Sequence, residues 1–314
     1  MRLDLLAALS GLMIALQARA NGELSYRLNN GIEAALVSFG SGLIIIAVIT
    51  LFHKGIKEGI SNLRVAVKAK EIPRWRLFAG ALGGAFVAVQ TQIVPIIGVA
   101  IYSVASIAGQ TAMSLYVDRI GLTGGGKKLI SRRRIAAAAL TVLAVLVSVW
   151  DRIDAKNLSM WAVFFGVLAG AIVGVQRALN GQINEYSKQS FTTSLLNFMM
   201  GTSFLVILLV IAVIANWSEL APLPAGPWWI YTGGLIGVIY IAFSSTIVQH
   251  LGVFTFTLFS VGGQLVGSLL LDLLLPTNGV NVSAYLVTGI VMTYFGVIAG
   301  GVSSSRIQKS AKEQ

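Results

Sequence analysis

Side-chain amides are the groups in this 314-residue chain whose type and position suggest chemistry, because they interrupt long apolar runs. Gln110 and Gln264 lie near the middle of such runs, Gln17 and Gln176 lie near the ends, and Asn197 lies within another. A buried amide is costly unless it forms hydrogen bonds, and it donates and accepts them without titrating. Two interpretations stay open. The five amides either line a polar pathway that binds a solute, or they join neighbouring helices.

Four charged residues at the ends of apolar runs form a second candidate group. Asp118 follows Gln110 by eight residues, and Asp272 follows Gln264 by eight residues. This spacing is about 12 Å along a helix. We predict that Arg177 pairs with Asp118, and Arg19 with Asp272, as gates that close alternately at the inner and outer surfaces. The alternative is that each aspartate simply ends its helix in water or meets a lipid headgroup.

Composition limits the chemistry available to the chain. It has no cysteine and only two histidines, His53 and His250, which argues against disulfides, thiol catalysis and a histidine-rich metal site. Hydrophobic residues make up 56% and charged residues 11% of the sequence, and the latter is far below the roughly 25% of soluble domains. We therefore expect an integral membrane protein without metal or cofactor. An intramembrane enzyme is disfavoured, because no carboxylate cluster or buried Ser–His pair is evident.

Long apolar runs predict the elements that position these residues. A membrane-spanning helix needs about 20 apolar residues, and ten runs qualify: Leu5 to Ala20, Glu33 to Phe52, Leu77 to Ile97, Gly98 to Val117, Ile135 to Trp150, Met160 to Leu179, Phe191 to Ala215, Trp228 to Val248, Val253 to Leu275 and Ala284 to Val302. The third and fourth are divided near Pro95 and Gly98. Asn21-Gly22 and Asn180-Gly181 are expected to end the first and sixth spans as left-handed caps.

The net charge of +11 is read as a topology signal. Ten spans distribute the 23 Lys and Arg residues as nineteen on one side and four on the other, the four being Arg19, Arg27, Arg152 and Lys156. The cationic side is expected to be cytoplasmic, so both termini lie inside the cell. Anionic lipids are the expected partners of these cations, and nucleic acid is not. The segment Ile56 to Val67 is predicted as an amphipathic helix on the inner surface.

An internal repeat divides the chain into two halves, residues 1–152 and 153–314. An offset of 159 pairs Gln17 with Gln176 and Asn21 with Asn180. Later in each half, an offset of 154 pairs several further residues: Trp75 with Trp229, Gln110 with Gln264, and Asp118 with Asp272. Because each half has five spans, an odd number, the second half must enter the membrane from the opposite side. Such inverted repeats are typical of transporters that expose a site alternately to the two surfaces.

The residues also resemble a known family. Leu251-Gly252-Val253, Gly263-Gln264-Leu265, Gly267 and Leu271-Asp272 are similar to the signature of the YdcZ-like branch of the drug/metabolite transporter superfamily. The first half carries a matching copy in Gly98-Val99, Gly109-Gln110 and Asp118. The resemblance implies the fused form, an EamA-like bundle of ten helices that exports or exchanges small molecules. The first span lacks the buried glutamate that couples protons in small multidrug-resistance relatives, and Gln17 cannot replace it in that role.

Together these observations predict an all-α integral membrane protein of the bacterial cell membrane, with ten spans in an inverted five-plus-five repeat. It is expected to be a secondary transporter of a small polar or amphipathic metabolite. A lipid or lipid-carrier flippase of the same architecture is the alternative. The expected partners are the small-molecule substrate and membrane lipids, and a homodimer is one assembly that the sequence allows.

Overall fold

The structure is a computed structural model that describes residues 3–122, 127, 130–148, 150, 160–276 and 282–310. Ten α-helices follow one another in these ranges: α1 Leu3–Leu28, α2 Gly31–Phe52, α3 Lys54–Lys68, α4 Ala79–Ile120, α5 Arg132–Ser148, α6 Met160–Ser187, α7 Ser190–Ile214, α8 Gly233–Leu251, α9 Val253–Leu274 and α10 Ala284–Ser310. Short 3₁₀ turns at Arg74–Phe78 and Trp228–Tyr231 precede α4 and α8. The described chain contains no strand.

Among the described residues, five helical segments are long and apolar enough to cross a membrane. They are α2, α6, α7, α8 and the segment Arg74–Ile120, which contains α4. Their outward faces are apolar, as shown by Ile44, Leu51, Ile207 and Ile214, each at least half exposed. Exposed aliphatic surface of this extent is typical of helices that contact lipid. The prediction of an all-helical multi-pass membrane protein is thus confirmed. The predicted boundary between the halves, at residues 152 and 153, lies outside the described residues.

Helix α4 is broken at Gly98, which confirms that the third and fourth apolar runs are separate helices. Gly98 has φ 81° and ψ 167°, a conformation that is essentially restricted to glycine. The parts before and after it are called α4a and α4b. Gly252, which is 154 residues later and separates α8 from α9, has φ 78° and ψ 162°. The same break therefore recurs at the matching position of the second half.

Helices α1 and α6 extend about two turns beyond their predicted ends, so the predicted caps at Asn21-Gly22 and Asn180-Gly181 are wrong. Both pairs are buried inside their helices. The Nδ2 atom of Asn21 donates to Oε1 of Gln90 at 3.3 Å, and Oδ1 of Asn180 accepts from Nδ2 of Asn197. Because neighbouring helices supply these partners, neither asparagine has to end its helix.

The amphipathic segment predicted near residues 56–67 is confirmed as α3. Its apolar residues Ile56, Leu63 and Ala66 are buried. Leu63 and Ala66 belong to a cluster that includes Leu179 and Ile183 of α6.

Several cations on which the orientation prediction rests lie outside the described residues: Arg2, Lys128, Arg152, Lys156 and Lys312, with the side chains of Arg306 and Lys309.

Contacts between the two halves occur in matching pairs. A methyl group on Gly11 would overlap the carbonyl oxygen of Ser260, and one on the matching Gly170 would overlap that of the matching Ser106. The rings of Phe39 and its counterpart Phe198 lie 5.0 Å apart, centroid to centroid. Equivalent residues of the two halves therefore make equivalent contacts with the opposite half.

Candidate functional site

A small cavity of about 30 Å³ lies where the two halves meet, which leaves room for roughly one or two water molecules. It is lined by twelve residues that form six repeat-related pairs. These pairs are Ile14 with Val173, Gln17 with Gln176, Phe39 with Phe198, Gly83 with Gly237, Phe86 with Tyr240, and Val87 with Ile241. Each half therefore contributes one copy of the same wall, from its first three membrane helices.

Gln17 and Gln176 are the polar pair in this lining, and their amides bind different partners. Nε2 of Gln17 donates to the carbonyl oxygen of Gly233 at 2.9 Å. Nε2 of Gln176 donates to Oδ1 of Asn197 at 2.9 Å, and Nδ2 of Asn197 donates in turn to Asn180. Asn197 thus orients Gln176 from behind and is not among the residues that line the cavity. The equivalent of Asn197 in the first half is Ser38, which is also buried.

Gln110 and Gln264 lie at helix interfaces rather than in the cavity lining. A methyl group on Gly109 of α4b would overlap the backbone of Val167 in α6, and the matching Gly263 of α9 is equally close to Ala8 in α1. Nε2 of Gln110 donates to Oγ of Ser106 at 2.9 Å. Neither polar atom of the fully buried Gln264 side chain has a hydrogen-bond partner among the described residues.

Asp118 forms an ion pair with Arg134 instead of the predicted pair with Arg177. Nη2 of Arg134 lies 2.7 Å from Oδ2 of Asp118, and both side chains are buried. The guanidinium carbon of Arg134 lies 4.0 Å from the ring centroid of Phe254 at the start of α9. The prediction was wrong because α5, whose first turn carries Arg134, packs beside the end of α4.

Asp272 and Arg19, the second predicted pair, each bind the backbone at the end of a helix. The carboxylate of Asp272 accepts hydrogen bonds from the amides of Val99 at 3.3 Å and Ala100 at 2.7 Å. These are the first amides of α4b after the break, where unpaired N–H groups and the helix dipole favour an anion. Nε of Arg19 donates to the carbonyl oxygen of Leu275 at 2.9 Å, and its Nη1 binds Glu23 at 3.0 Å.

Arg177 is buried beside the cavity, with 2% of its surface exposed, and not at the inner surface as predicted. It lies ten residues before the end of α6, or about 15 Å. Nε donates to the hydroxyl of Tyr240 and Nη1 to Oγ1 of Thr257, each at 3.0 Å. The guanidinium carbon also lies 5.0 Å from the ring centroid of Phe256.

Sequence reasoning missed Tyr240 and the central position of Arg177. A signal was present in the repeat, because the residue that matches Arg177 is Ala18 and the residue that matches Tyr240 is Phe86. The two polar groups that bind each other in the second half are thus both apolar in the first. In the described residues, no group of three or more His, Asp or Glu side chains is placed to hold a metal ion.

Comparison with known proteins identifies the chain's relatives. The model of the family described as "Putative inner membrane exporter, YdcZ" matches residues 3–147 and again residues 161–299. One solved crystal structure, described only as that of a protein, is 14% identical and superposes with a TM-score of 0.60 over 97% of each chain. At that identity it shows a shared fold alone. No curated protein matches the chain.

The family match covers both halves, in agreement with a two-repeat form of the drug/metabolite transporter type. The family name describes an exporter of the inner membrane, which indicates a transporter rather than an enzyme. The resemblance found in the sequence around Gly252, Gln264 and Asp272 is therefore confirmed. The chain belongs to the YdcZ family of inner membrane exporters.

Proposed function

We propose that this protein is a secondary transporter that moves a small polar or amphipathic solute through the central cavity by alternating access. The observation that carries the proposal is the cavity lining, six repeat-related pairs of residues at the junction of the halves. A site between two equivalent walls can open to one side of the membrane by a movement of one half. The same movement made by the other half opens it to the opposite side. Gln17 and Gln176 are the residues that would bind the solute by hydrogen bonds.

Contact registers support an inverted arrangement of ten spans. Between α1 and α8 the register is antiparallel, because Gln17 lies beside Gly237 and Asn21 beside Gly233. Between α6 and α8 it is parallel, because Arg177 binds Tyr240 and Asn184 binds Gln249 at 2.8 Å. The equivalent helices α1 and α6 therefore point in opposite directions, as two inverted five-helix halves require.

The remaining amides have supporting roles in this proposal. Asn197 orients Gln176 through its hydrogen bond. Gln110 lies where α4b packs closely on α6, and Gln264 lies where α9 packs closely on α1. In this proposal they join these helices and do not bind the solute. The excess of cations on one side supports an orientation with both termini in the cytoplasm. Export is the direction that the family name supports.

Single-cysteine labelling tests alternating access, since the natural chain has no cysteine to remove. Gln17→Cys and Gln176→Cys proteins would be treated with a membrane-impermeant thiol reagent in right-side-out and in inside-out vesicles. We expect each cysteine to react from both sides, because the cavity opens to each in turn. Ile46→Cys is the control, as Ile46 is fully buried outside the cavity lining and should stay unreactive from both sides. Reaction of the cavity cysteines from one side only would contradict alternating access.

A further inference from the structure

We propose that Arg177 binds an oxyanion, so that the transported solute is an anion with a carboxylate or phosphate group. The inference rests on the proposed transport function and names the class of its substrate. It starts from the hydrogen bonds of the guanidinium group. Nε and Nη1 are bound by Tyr240 and Thr257, whereas Nη2 is buried without a hydrogen-bond partner among the described residues.

The unpartnered nitrogen lies on the same edge of the guanidinium group as the N–H that binds a cavity-lining residue. In a guanidinium group, one N–H of Nη2 is parallel to the N–H of Nε, and the two form the edge that binds oxyanions in bidentate fashion. Nε points at the hydroxyl of Tyr240, which is a cavity-lining residue. The free N–H of Nη2 is therefore parallel to the N–H that binds Tyr240. An oxyanion that enters beside Tyr240 would accept from Nη2, and one that displaces the Tyr240 hydroxyl would be bound by both nitrogens.

The charge of Arg177 also lacks compensation. The described residues form three ion pairs, in which Glu23 binds Arg19 and Arg27, and Asp118 binds Arg134. Arg177 contributes to none of them, and its described partners are two hydroxyl groups and an aromatic ring. A buried cation without a counter-ion is costly in a low-dielectric interior. A bound anion would supply the missing charge at the position where the structure leaves it uncompensated.

The difference between the halves argues against a purely structural role. Ala18 takes the place of Arg177 in the first half, and Phe86 takes the place of Tyr240. The first half thus packs the same helices around an alanine and a phenylalanine. An arginine is therefore not needed to pack this part of the repeat. Its presence in one half only places a single cationic group behind the wall that the second half contributes, next to Tyr240.

Thermal unfolding of the purified protein in a neutral detergent tests the proposal at constant ionic strength. The probes are acetate, succinate, benzoate and inorganic phosphate, and each carboxylate is compared with its neutral amide. Because a ligand that binds only the folded state stabilises it by mass action, an anion at 100 times its Kd should raise Tm by about 5 °C. The neutral amides should give no shift.

Variants link the shift to Arg177. Arg177→Met should abolish the anion-dependent rise in Tm. Arg177→Lys should weaken binding at least about tenfold, because a compact ammonium group cannot keep the contacts with Tyr240 and Thr257 and donate to the anion in the same planar geometry. Tyr240→Phe, which places the residue of the first half in the second, frees Nε beside Nη2 and should therefore strengthen anion binding. This variant tests the site if the Met variant fails to fold, and unchanged or weaker binding would contradict the proposed contact. Arg27→Met removes an equal charge from an exposed position and should leave the shift unchanged.

The outcomes separate this inference from the proposed function. A shift with phosphatidylglycerol alone would support the same oxyanion site and assign it to a lipid headgroup. Absence of a shift with every anion, or an equal shift in Arg177→Met, would overturn the anion assignment. If Gln17→Cys still reacts from both sides of the membrane in that case, alternating access stands and only the substrate class is wrong.

Discussion

Arg134 binds Asp118 through a contact of 2.7 Å between Nη2 and Oδ2, in surroundings where both side chains are at least nine-tenths buried. The pair joins the first turn of α5 to the last turn of α4. Because both side chains are buried, the ion pair offsets part of the cost of removing the two charges from water. The pair is therefore a fixed connection between two helices in this form of the protein.

Removal of one partner of this pair should destabilise the protein more than removal of both. We expect Asp118→Asn to lower the free energy of unfolding by about 3 kcal/mol, because it removes the carboxylate that pairs with the buried guanidinium group of Arg134. The double variant Asp118→Asn with Arg134→Met should recover part of that loss. Denaturant unfolding in detergent measures all three values, and additive losses would show that the two residues are not coupled.

Alanine at either broken-helix glycine should be destabilising to a similar extent. Gly98→Ala and Gly252→Ala place a Cβ atom on a backbone with φ near 80°, which costs about 1–3 kcal/mol. Gly40→Ala is the matched control, since Gly40 is helical and nothing lies within 4 Å of an added Cβ. That substitution should raise stability by about 0.5 to 1 kcal/mol. Thermal unfolding compares the three, and a harmless change at Gly98 would mean that the break lies elsewhere.

Gln264 should be replaceable by methionine without loss of stability. Both of its polar atoms are buried and unpartnered among the described residues, so an apolar side chain of similar length should gain about 1–3 kcal/mol. Gln110→Met is the repeat-related comparison and should gain less, because it breaks the hydrogen bond to Ser106. A marked loss of stability in Gln264→Met would indicate that this amide binds a group that the described contacts do not include.

Matching positions of the two halves should be reached from opposite sides of the membrane. Arg74 and Trp228 are both exposed, are 154 residues apart and start the 3₁₀ turns before α4 and α8. With Arg74→Cys and Trp228→Cys proteins in intact cells, a membrane-impermeant reagent should label only the second. Permeabilised cells are the control, in which both should react. Labelling of both cysteines in intact cells would disprove the inverted arrangement.

Periodicity and apolar length were sufficient to predict the helical membrane class, the division of α4 and the amphipathic α3. Helix ends were less predictable, because Asn21 and Asn180 find hydrogen-bond partners in neighbouring helices and so permit α1 and α6 to continue. The repeat identified Gln17 and Gln176, which do line the cavity. Gln110 lies in the middle of a span but does not line the cavity, because position along a helix does not specify which neighbour a side chain faces.

The partners of the charged residues could not be predicted from spacing. Arg177 binds Tyr240 and Thr257, which are 63 and 80 residues away in the sequence, and only the packing of α6 on α8 and α9 brings them together. Asp118 meets Arg134 because of the position of α5 rather than because of any motif. Electrostatic pairing in a bundle depends on three-dimensional neighbours, which a single sequence does not specify.

The mismatch between Ala18 and Arg177 has an energetic consequence for the resting protein. If the two halves were identical, the proposed inward-open and outward-open forms would have equal free energies. A protein without bound solute would then be divided equally between them. If the protein moves between these two forms as proposed, the guanidinium group of Arg177 has different surroundings in each, and no arginine of the first half balances that difference. The unloaded protein would then favour one face of the membrane, and Arg177 is one of the side chains that set this preference.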